Sequence, residues 1–242
     1  MGDIDYSIYY ARFHDDSDAH AELMARMMSR VLEPHLPSDR AARVLDVGCG
    51  YGFSLRAMRT FGFADLCGVE LSPQQAARCQ RAGFNVEVSD DTVGWLEARP
   101  AEFDFVILLD VIEHVPVPEQ IRFMKAIHTS LRPNGRVVVT TPNANAILAP
   151  RWRYNDYTHH CSFTEHSLFF VLRNAGFDRI RIDASKGIGR FPWKFWRRNS
   201  RVKLRKWLVR WCWLQVYKAE LPWEKIDEIG FELNLTAAAD RS

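Results

Sequence analysis

Residues Val44-Leu-Asp-Val-Gly-Cys-Gly-Tyr-Gly-Phe53 decide the fold. A short apolar run enters a glycine turn, Gly48-x-Gly50-x-Gly52, and continues into a predicted helix from Ser54 to Phe61. Glycine there lets bare backbone approach a ligand and supplies the positive φ that a Cβ opposes. The helix presents unpaired N–H groups at its amino end. Strand, glycine turn and helix together open a nucleotide- or nucleoside-binding α/β unit.

Three features narrow the ligand. Asp46 stands on the strand just before the turn, where an acid repels a pyrophosphate. A second predicted strand, Asp65 to Glu70, ends in an acid at about the 20-residue spacing used to hold ribose hydroxyls. The third glycine comes one residue too early for the dinucleotide pattern G-x-G-x-x-G. An acidic site with a ribose-binding carboxylate suits a nucleoside that carries a cation.

On these residues the chain resembles the class I S-adenosylmethionine-dependent methyltransferases. Val44 to Gly52 is similar to the first family motif, and Gly68-Val-Glu-Leu-Ser-Pro73 to the second. Val88-Ser-Asp-Asp91 resembles the third, and Phe103 to Pro116, with its Asp-Val-Ile-Glu-His-Val-Pro ending, the fourth. Leu131-Arg-Pro-Asn-Gly-Arg-Val-Val-Val-Thr-Thr-Pro142 resembles the segment leading into strand five. The likeness covers residues 40–185. Glu113-His-Val-Pro116, and Asp156 to Thr164 with Ala175-Gly-Phe177, resemble a branch containing ubiquinone-biosynthesis O-methyltransferases and many sugar and polysaccharide methyltransferases.

The resemblance implies a Rossmann-like α/β fold. Its mostly parallel seven-stranded sheet has the order 3-2-1-4-5-7-6, with helices on both faces. It implies S-adenosyl-L-methionine as cofactor. Backbone at Gly48, Cys49, Gly50 and Gly52 would contact it, Asp46 its methionine end, Glu70 and Leu71 its ribose, and Asp90 or Asp91 its adenine. Asp110 would line the site beside the transferable methyl. For a hydroxyl acceptor a base is needed, and histidine titrates in the right range. His159 heads the candidates, ahead of His114, with Asp156 available to orient His159. Arg151, Arg153 and Tyr154 could grip an anionic or hydroxylated acceptor. No metal is expected. The expected reaction is O-methylation of a sugar hydroxyl on a surface glycan or glycolipid intermediate. A quinone-like or other small hydroxylated lipid is the alternative. A cofactor-binding interaction subunit without turnover is the alternative from another class.

The 242 residues suffice for one methyltransferase domain. It divides into an N-terminal lid and helix (1–39), a cofactor-binding core (40–185), a basic aromatic insertion (186–229) and a candidate last strand (230–236). Tyr6 to Phe13 reads as the lid. Ser17 caps a helix through Glu33 whose apolar face is Leu23, Met24, Met27 and Val31. The five cysteines are scattered, without C-x-x-C spacing, so neither a disulfide framework nor a zinc site is expected. With no spanning apolar run and no secretory signal, a cytoplasmic location is expected.

The net charge of +2 conceals an asymmetry. Residues 186–218 hold eleven Lys or Arg, no acid, and five of the eight tryptophans, so the remainder is net −9 (2 minus 11). Within Ser200 to Tyr217, Leu204, Trp207, Leu208, Trp211 and Leu214 recur at helical spacing beside Lys203, Lys206 and Arg210. Phe191-Pro-Trp-Lys-Phe-Trp-Arg-Arg198 repeats this chemistry in a loop. Three readings apply: a helix packed on the domain, an in-plane helix facing an anionic membrane or lipid-linked acceptor, and, least favoured against an acidic body, a single-stranded nucleic-acid face. The membrane reading adds peripheral attachment to the inner face of the membrane.

Overall fold

In the computed structural model, residues 12, 14, 15, 17–183, 191, 198–224 and 229–242 are described. The expected lid, apart from Arg12, and the aromatic loop 191–198, apart from Phe191 and the backbone of Arg198, fall outside them.

Seven strands form one sheet: β1 (Val44–Val47), β2 (Leu66–Glu70), β3 (Asn85–Val88), β4 (Phe103–Leu109), β5 (Leu131–Pro142), β6 (Asp178–Asp183) and β7 (Asn234–Asp240). Their order is β3-β2-β1-β4-β5-β7-β6. The first five pair in parallel, and β7 runs antiparallel to both β5 and β6. This is the sheet expected from the sequence.

The helices are α1 (Asp18–Leu32), α2 (Phe53–Thr60), α3 (Pro73–Arg81), α4 (Thr92–Glu97), α5 (Gln120–Ser130), α6 (Ala149–Asn155), α7 (Glu165–Asn174) and α8 (Arg198–Glu220). Side-chain caps satisfy orphan N–H groups at several amino ends. Ser17 caps α1, Ser72 caps α3 ahead of Pro73, Asp91 caps α4, and Thr164 with Ser167 forms a reciprocal capping box on α7.

Alternation along the strands sends side chains to two cores. On one face Leu45, Val47, Val106, Leu108, Val137 and Val139 pack with Leu96, Phe123, Ile127 and Leu172 from α4, α5 and α7. On the other, Val44, Phe105, Ile107 and Val138 pack with Leu32, Leu55, Met58 and Cys79 from α1, α2 and α3. The carboxyl ends of the parallel strands therefore share one rim, where ligands of open α/β sheets bind.

Two sequence expectations need correction. The packed face of α1 is Ala21, Ala25, Met28 and Leu32, whereas Leu23 and Met27 are exposed. Small alanines let α1 approach α2 closely, so large apolar residues were a poor guide to the buried side. The last strand is Asn234–Asp240 rather than 230–236. The alternation Phe231-x-Leu233-x-Leu235 looked like a strand, while the run Ala237-Ala238-Ala239 carried little strand propensity. In the fold those alanines pair with Val139, Val138 and Val137, and Phe231 is buried in a separate cluster. Asp240 fixes the register of β7. It receives Arg136 Nε and Nη2 at 2.6 and 3.2 Å and lies 3.1 Å from Arg179 Nε.

The insertion between β6 and β7 is largely α8. Leu214 packs with Ile229 and Phe231, flanked by Trp213, Tyr217 and Leu221. Arg210 Nη2 pairs with Glu232 at 2.7 Å, and Lys206 lies 3.5 Å from the same carboxylate. Of the predicted stripe, Leu214 is buried and Leu204 and Trp207 half-buried, but Leu208 and Trp211 are exposed. Trp207 meets the Phe191 ring edge-on at 4.9 Å. Among the described residues no helix is long and apolar enough to cross a membrane.

Because Asp240 is buried and shared by two arginines, Asp240→Ala should cost about 2 kcal/mol of unfolding free energy. Urea denaturation with an unchanged slope checks this, and a loss below about 0.5 kcal/mol would show that the register is held elsewhere.

Candidate active site

At the carboxyl end of β1 the turn is as the sequence requires. Gly48, Gly50 and Gly52 have φ of 69°, 53° and 76°, values at which side chains are strained. A Cβ on Gly52 would sit 2.4 Å from Cys79 Sγ, and one on Gly48 would sit 2.8 Å from Val111. Cys49 is buried, with its Sγ 2.7 Å from where a Cβ on Gly68 would lie.

Asp46 is buried below this turn, and its Oδ2 has no hydrogen-bond partner among the described residues. Burial, then repulsion by Glu70, pushes its carboxyl well above the usual range, while the Ser54 hydroxyl opposes this. A cationic ligand group would supply the missing partner. Glu70 closes β2 and is also buried. Its two oxygens accept Gly50 N–H at 2.8 Å and Ser72 N–H at 2.9 Å. Burial raises its carboxyl, and these amides counteract part of the rise. Leu71 follows as an exposed apolar residue. Asp90 and Asp91 both lie exposed beyond β3, but Asp91 accepts Gly94 N–H at 2.9 Å as the cap of α4. The glycine cradle and the orphaned Asp46 oxygen fit a nucleoside with a cationic amino-acid end.

Asp110 follows β4 in a left-handed conformation, φ 55°. It is exposed, yet desolvation by the surrounding protein raises its carboxyl, against the lowering effect of the Thr140 hydroxyl. Its Oδ1 accepts Thr140 Oγ1 at 2.9 Å and Asn234 Nδ2 at 2.8 Å.

The two candidate bases come together. The His114 and His159 rings lie 4.6 Å apart, edge to face. The expected Asp156–His159 orientation is replaced by a relay to the other ring. Asp156 Oδ1 accepts Thr158 Oγ1 at 2.6 Å, and that hydroxyl lies 2.8 Å from His114 Nδ1. Since Thr158 donates its only proton to Asp156, it accepts from His114 Nδ1–H. Nε2 then carries the His114 lone pair. His159 Nδ1 faces the Arg153 carbonyl at 3.1 Å, which fixes its Nδ1–H and leaves Nε2 basic as well. Burial, then His159, lowers His114 to about 4, and burial lowers His159.

Glu113 joins them from below. It is fully buried, accepts Thr141 Oγ1 at 3.0 Å through Oε2, and its Oε1 has no partner among the described residues. Burial and nearby Asp110 push its carboxyl well above the usual range. Glu113, His114 and His159 place one donor atom each within 4.8 Å of one another, so these three residues could hold one metal ion.

Arg151, Arg153 and Tyr154 lie on α6 rather than in a loop. Arg151 and Tyr154 are exposed, and the Arg153 guanidinium lies 5.0 Å from the Tyr154 ring centre. The structure thus gathers Asp46, the glycines and Glu70 at β1 and β2, and Asp110, His114, His159 and Asp156 beyond β4 and β5. Sequence reasoning missed Ser54, Glu113, Thr158, Trp152 and Asn234. Glu113 had a signal, an acid within an otherwise apolar run; the others make contacts that spacing does not reveal.

Comparison with known proteins places the chain in a family. Residues 17–182 match the family described as a methyltransferase domain. A ubiquinone biosynthesis O-methyltransferase of Cereibacter sphaeroides is 30% identical over 178 residues, 67% of this chain and 70% of that protein. Among solved structures, a SAM-dependent methyltransferase from Archaeoglobus fulgidus has a TM-score of 0.69 at 18% identity, covering 97% of this chain and 99% of its own. Phosphoethanolamine N-methyltransferase 2 of Haemonchus contortus, solved with S-adenosyl-L-methionine, has a TM-score of 0.61 at 18% identity, with coverage of 99% and 60%. The glycine cradle, the buried acids and these matches converge: the chain belongs to the methyltransferase domain family and is an S-adenosylmethionine-dependent methyltransferase.

Proposed function

We propose that this methyltransferase acts on a phenolic hydroxyl of a quinone-like, lipid-soluble acceptor. The observation that carries the reading is the His114–His159 pair, two imidazoles whose basicity is lowered by burial. Weak bases suit a phenol, with a pKa near about 10, far better than a sugar hydroxyl. The name of the Cereibacter relative favours the same acceptor class, so the glycan expected from the sequence gives way to its alternative.

S-adenosylmethionine supplies, when bound, an electrophilic methyl on a sulfonium. The chain's task is then positioning and proton removal. Asp46 neutralises the methionine ammonium, Gly48 to Gly52 offer backbone, Glu70 receives the ribose hydroxyls, and Asp90, free of the capping role that occupies Asp91, lies toward adenine. His159 Nε2 takes the phenolic proton. His114, held by Thr158 and Asp156, packs against His159 and keeps its ring in place. Arg151, Arg153 and Tyr154 on α6 flank the acceptor.

The outward side of α8 supports delivery from a lipid surface. Val202, Leu208, Val209, Trp211 and Val216 are exposed there with Arg201 and Arg205, and Trp223 nearby is 75% exposed. Apolar side chains interleaved with arginine suit a helix lying in an anionic interface.

Five outcomes test this function. Calorimetry should give Glu70→Ala at least a tenfold weaker affinity for S-adenosylmethionine, about 1.4 kcal/mol; an unchanged affinity would remove Glu70 from the ribose. With a short-chain prenylated hydroquinone as acceptor, His159→Gln should lower kcat about a hundredfold and leave cofactor affinity intact. Because His159 must be neutral to act as the base and burial lowers its pKa, turnover should persist below pH 6.5 and be lost only as the ring protonates at lower pH. Dialysis against EDTA should leave it unchanged; loss restored by a divalent cation would make Glu113, His114 and His159 ligands instead. Finally, the protein should sediment with phosphatidylglycerol vesicles and less with Arg201→Glu/Arg205→Glu. Equal recovery in the supernatant with and without vesicles would refute the lipid-facing role of α8.

A further inference from the structure

The first side chain of β7 bridges the residue after β4 and helix α6. Asn234 Nδ2 donates to Asp110 Oδ1 at 2.8 Å, and Trp152 Nε1 donates to Asn234 Oδ1 at 2.7 Å. The amide orientation is fixed twice over. An indole N–H can only donate, so it requires the amide oxygen; the Asp110 carboxylate requires the NH₂. Asp110 is constrained in turn, by its left-handed backbone, by the Thr140 hydroxyl and by its own N–H bonded to Thr140 O at 3.0 Å.

The other end of this link is α6. Trp152 sits between Arg151 and Arg153, and the Arg153 carbonyl accepts from His159 Nδ1 at 3.1 Å. Asn234 itself pairs with Pro142, the last residue of β5, so its side chain is held at the strand ends where the site opens. One amide therefore joins the carboxylate that follows β4 to the helix that positions the base. An apolar residue of similar size would break both bonds, and aspartate would break only the one to Asp110.

We infer that Asn234 is a positioning residue that couples Asp110 to α6, and through α6 to His159. This rests on Asp110 and His159 both lining the site, as proposed above, but the coupling can be read without turnover. In protein with ¹⁵N-labelled tryptophan, Trp152→Phe identifies the Trp152 indole signal. Asp110→Asn should move that signal in the otherwise native chain and leave it in place when Asn234→Leu is also present. In the prenylated-hydroquinone assay, Asn234→Asp should raise the acceptor KM about fivefold or more while S-adenosylmethionine affinity stays within about twofold of native. An indole signal indifferent to Asp110→Asn, or moved equally in all backgrounds, would overturn the coupling whatever the acceptor proves to be. Since Asn234→Leu could impair β7, the near-isosteric Asn234→Asp keeps the test decisive: combined with Asp110→Asn it re-forms the link with donor and acceptor exchanged, and the indole signal should respond again. A failed phenol assay alongside an intact indole response would refute the acceptor class and leave the coupling standing.

Discussion

A buried carboxylate holding two backbone amides is the constraint on which the rest of this fold depends. Glu70 ties the glycine turn after β1 to the start of α3 through Gly50 N–H and Ser72 N–H. The turn can then keep three left-handed residues within five positions, and α2 and α3 leave the sheet at fixed places. The cost is electrostatic. Glu70 and Asp46 are both buried and repel each other, and the Ser54 hydroxyl only partly relieves Asp46. Such a site is poorly satisfied alone and well satisfied by a ligand with a positive end and hydroxyls. Cofactor preference is therefore present in the unliganded chain as unmet electrostatic demand.

The acceptor half obeys a different logic. Its groups are not held by one turn but by a chain of polar contacts between segments distant in sequence: Asp156 with Thr158 and His114, Thr141 with Glu113, and Asn143 with the carbonyls of Gly230 and Glu232. Apart from Glu113 Oε1, these buried polar groups are matched to neighbours, most of them short side chains with few rotamers. Precision arises from many modest hydrogen bonds rather than from one strong pair.

The cofactor half was legible in the sequence because local rules specify it. Glycines at positive φ, an acid at a strand end and alternating strands and helices are short-range signals, and sheet order followed from resemblance to a known fold. Legibility fails where a role depends on contacts across the chain. The partner of Asp156 was misread because Thr158 stands between it and His114, and no spacing rule distinguishes the two histidines. β7 was displaced by four residues because alanine is a poor strand former that becomes suitable only between two strands already in place. The buried side of α1 was misjudged for the same reason, since close helix packing selects alanine over methionine. Asn234 gave no functional signal, because it read only as one position of the candidate strand 230–236 until Trp152 and Asp110 are brought to it.

The manner in which α8 is inserted has an evolutionary consequence. It departs after β6 and returns before β7, and its polar anchors include Trp213 to the Asn145 carbonyl at 3.3 Å, Tyr217 to the Asn145 side chain at 3.5 Å, and Arg210 with Lys206 to Glu232. Asp46, the glycine turn and Glu70 all precede β3 in the chain, and Asp90 and Asp110 follow it well ahead of α8. Drift or replacement in the inserted helix can therefore explore new acceptors while the cradle stays unaltered, provided Asn145 and Glu232 still find partners. Substrate range in such a chain is free to diversify faster than its chemistry.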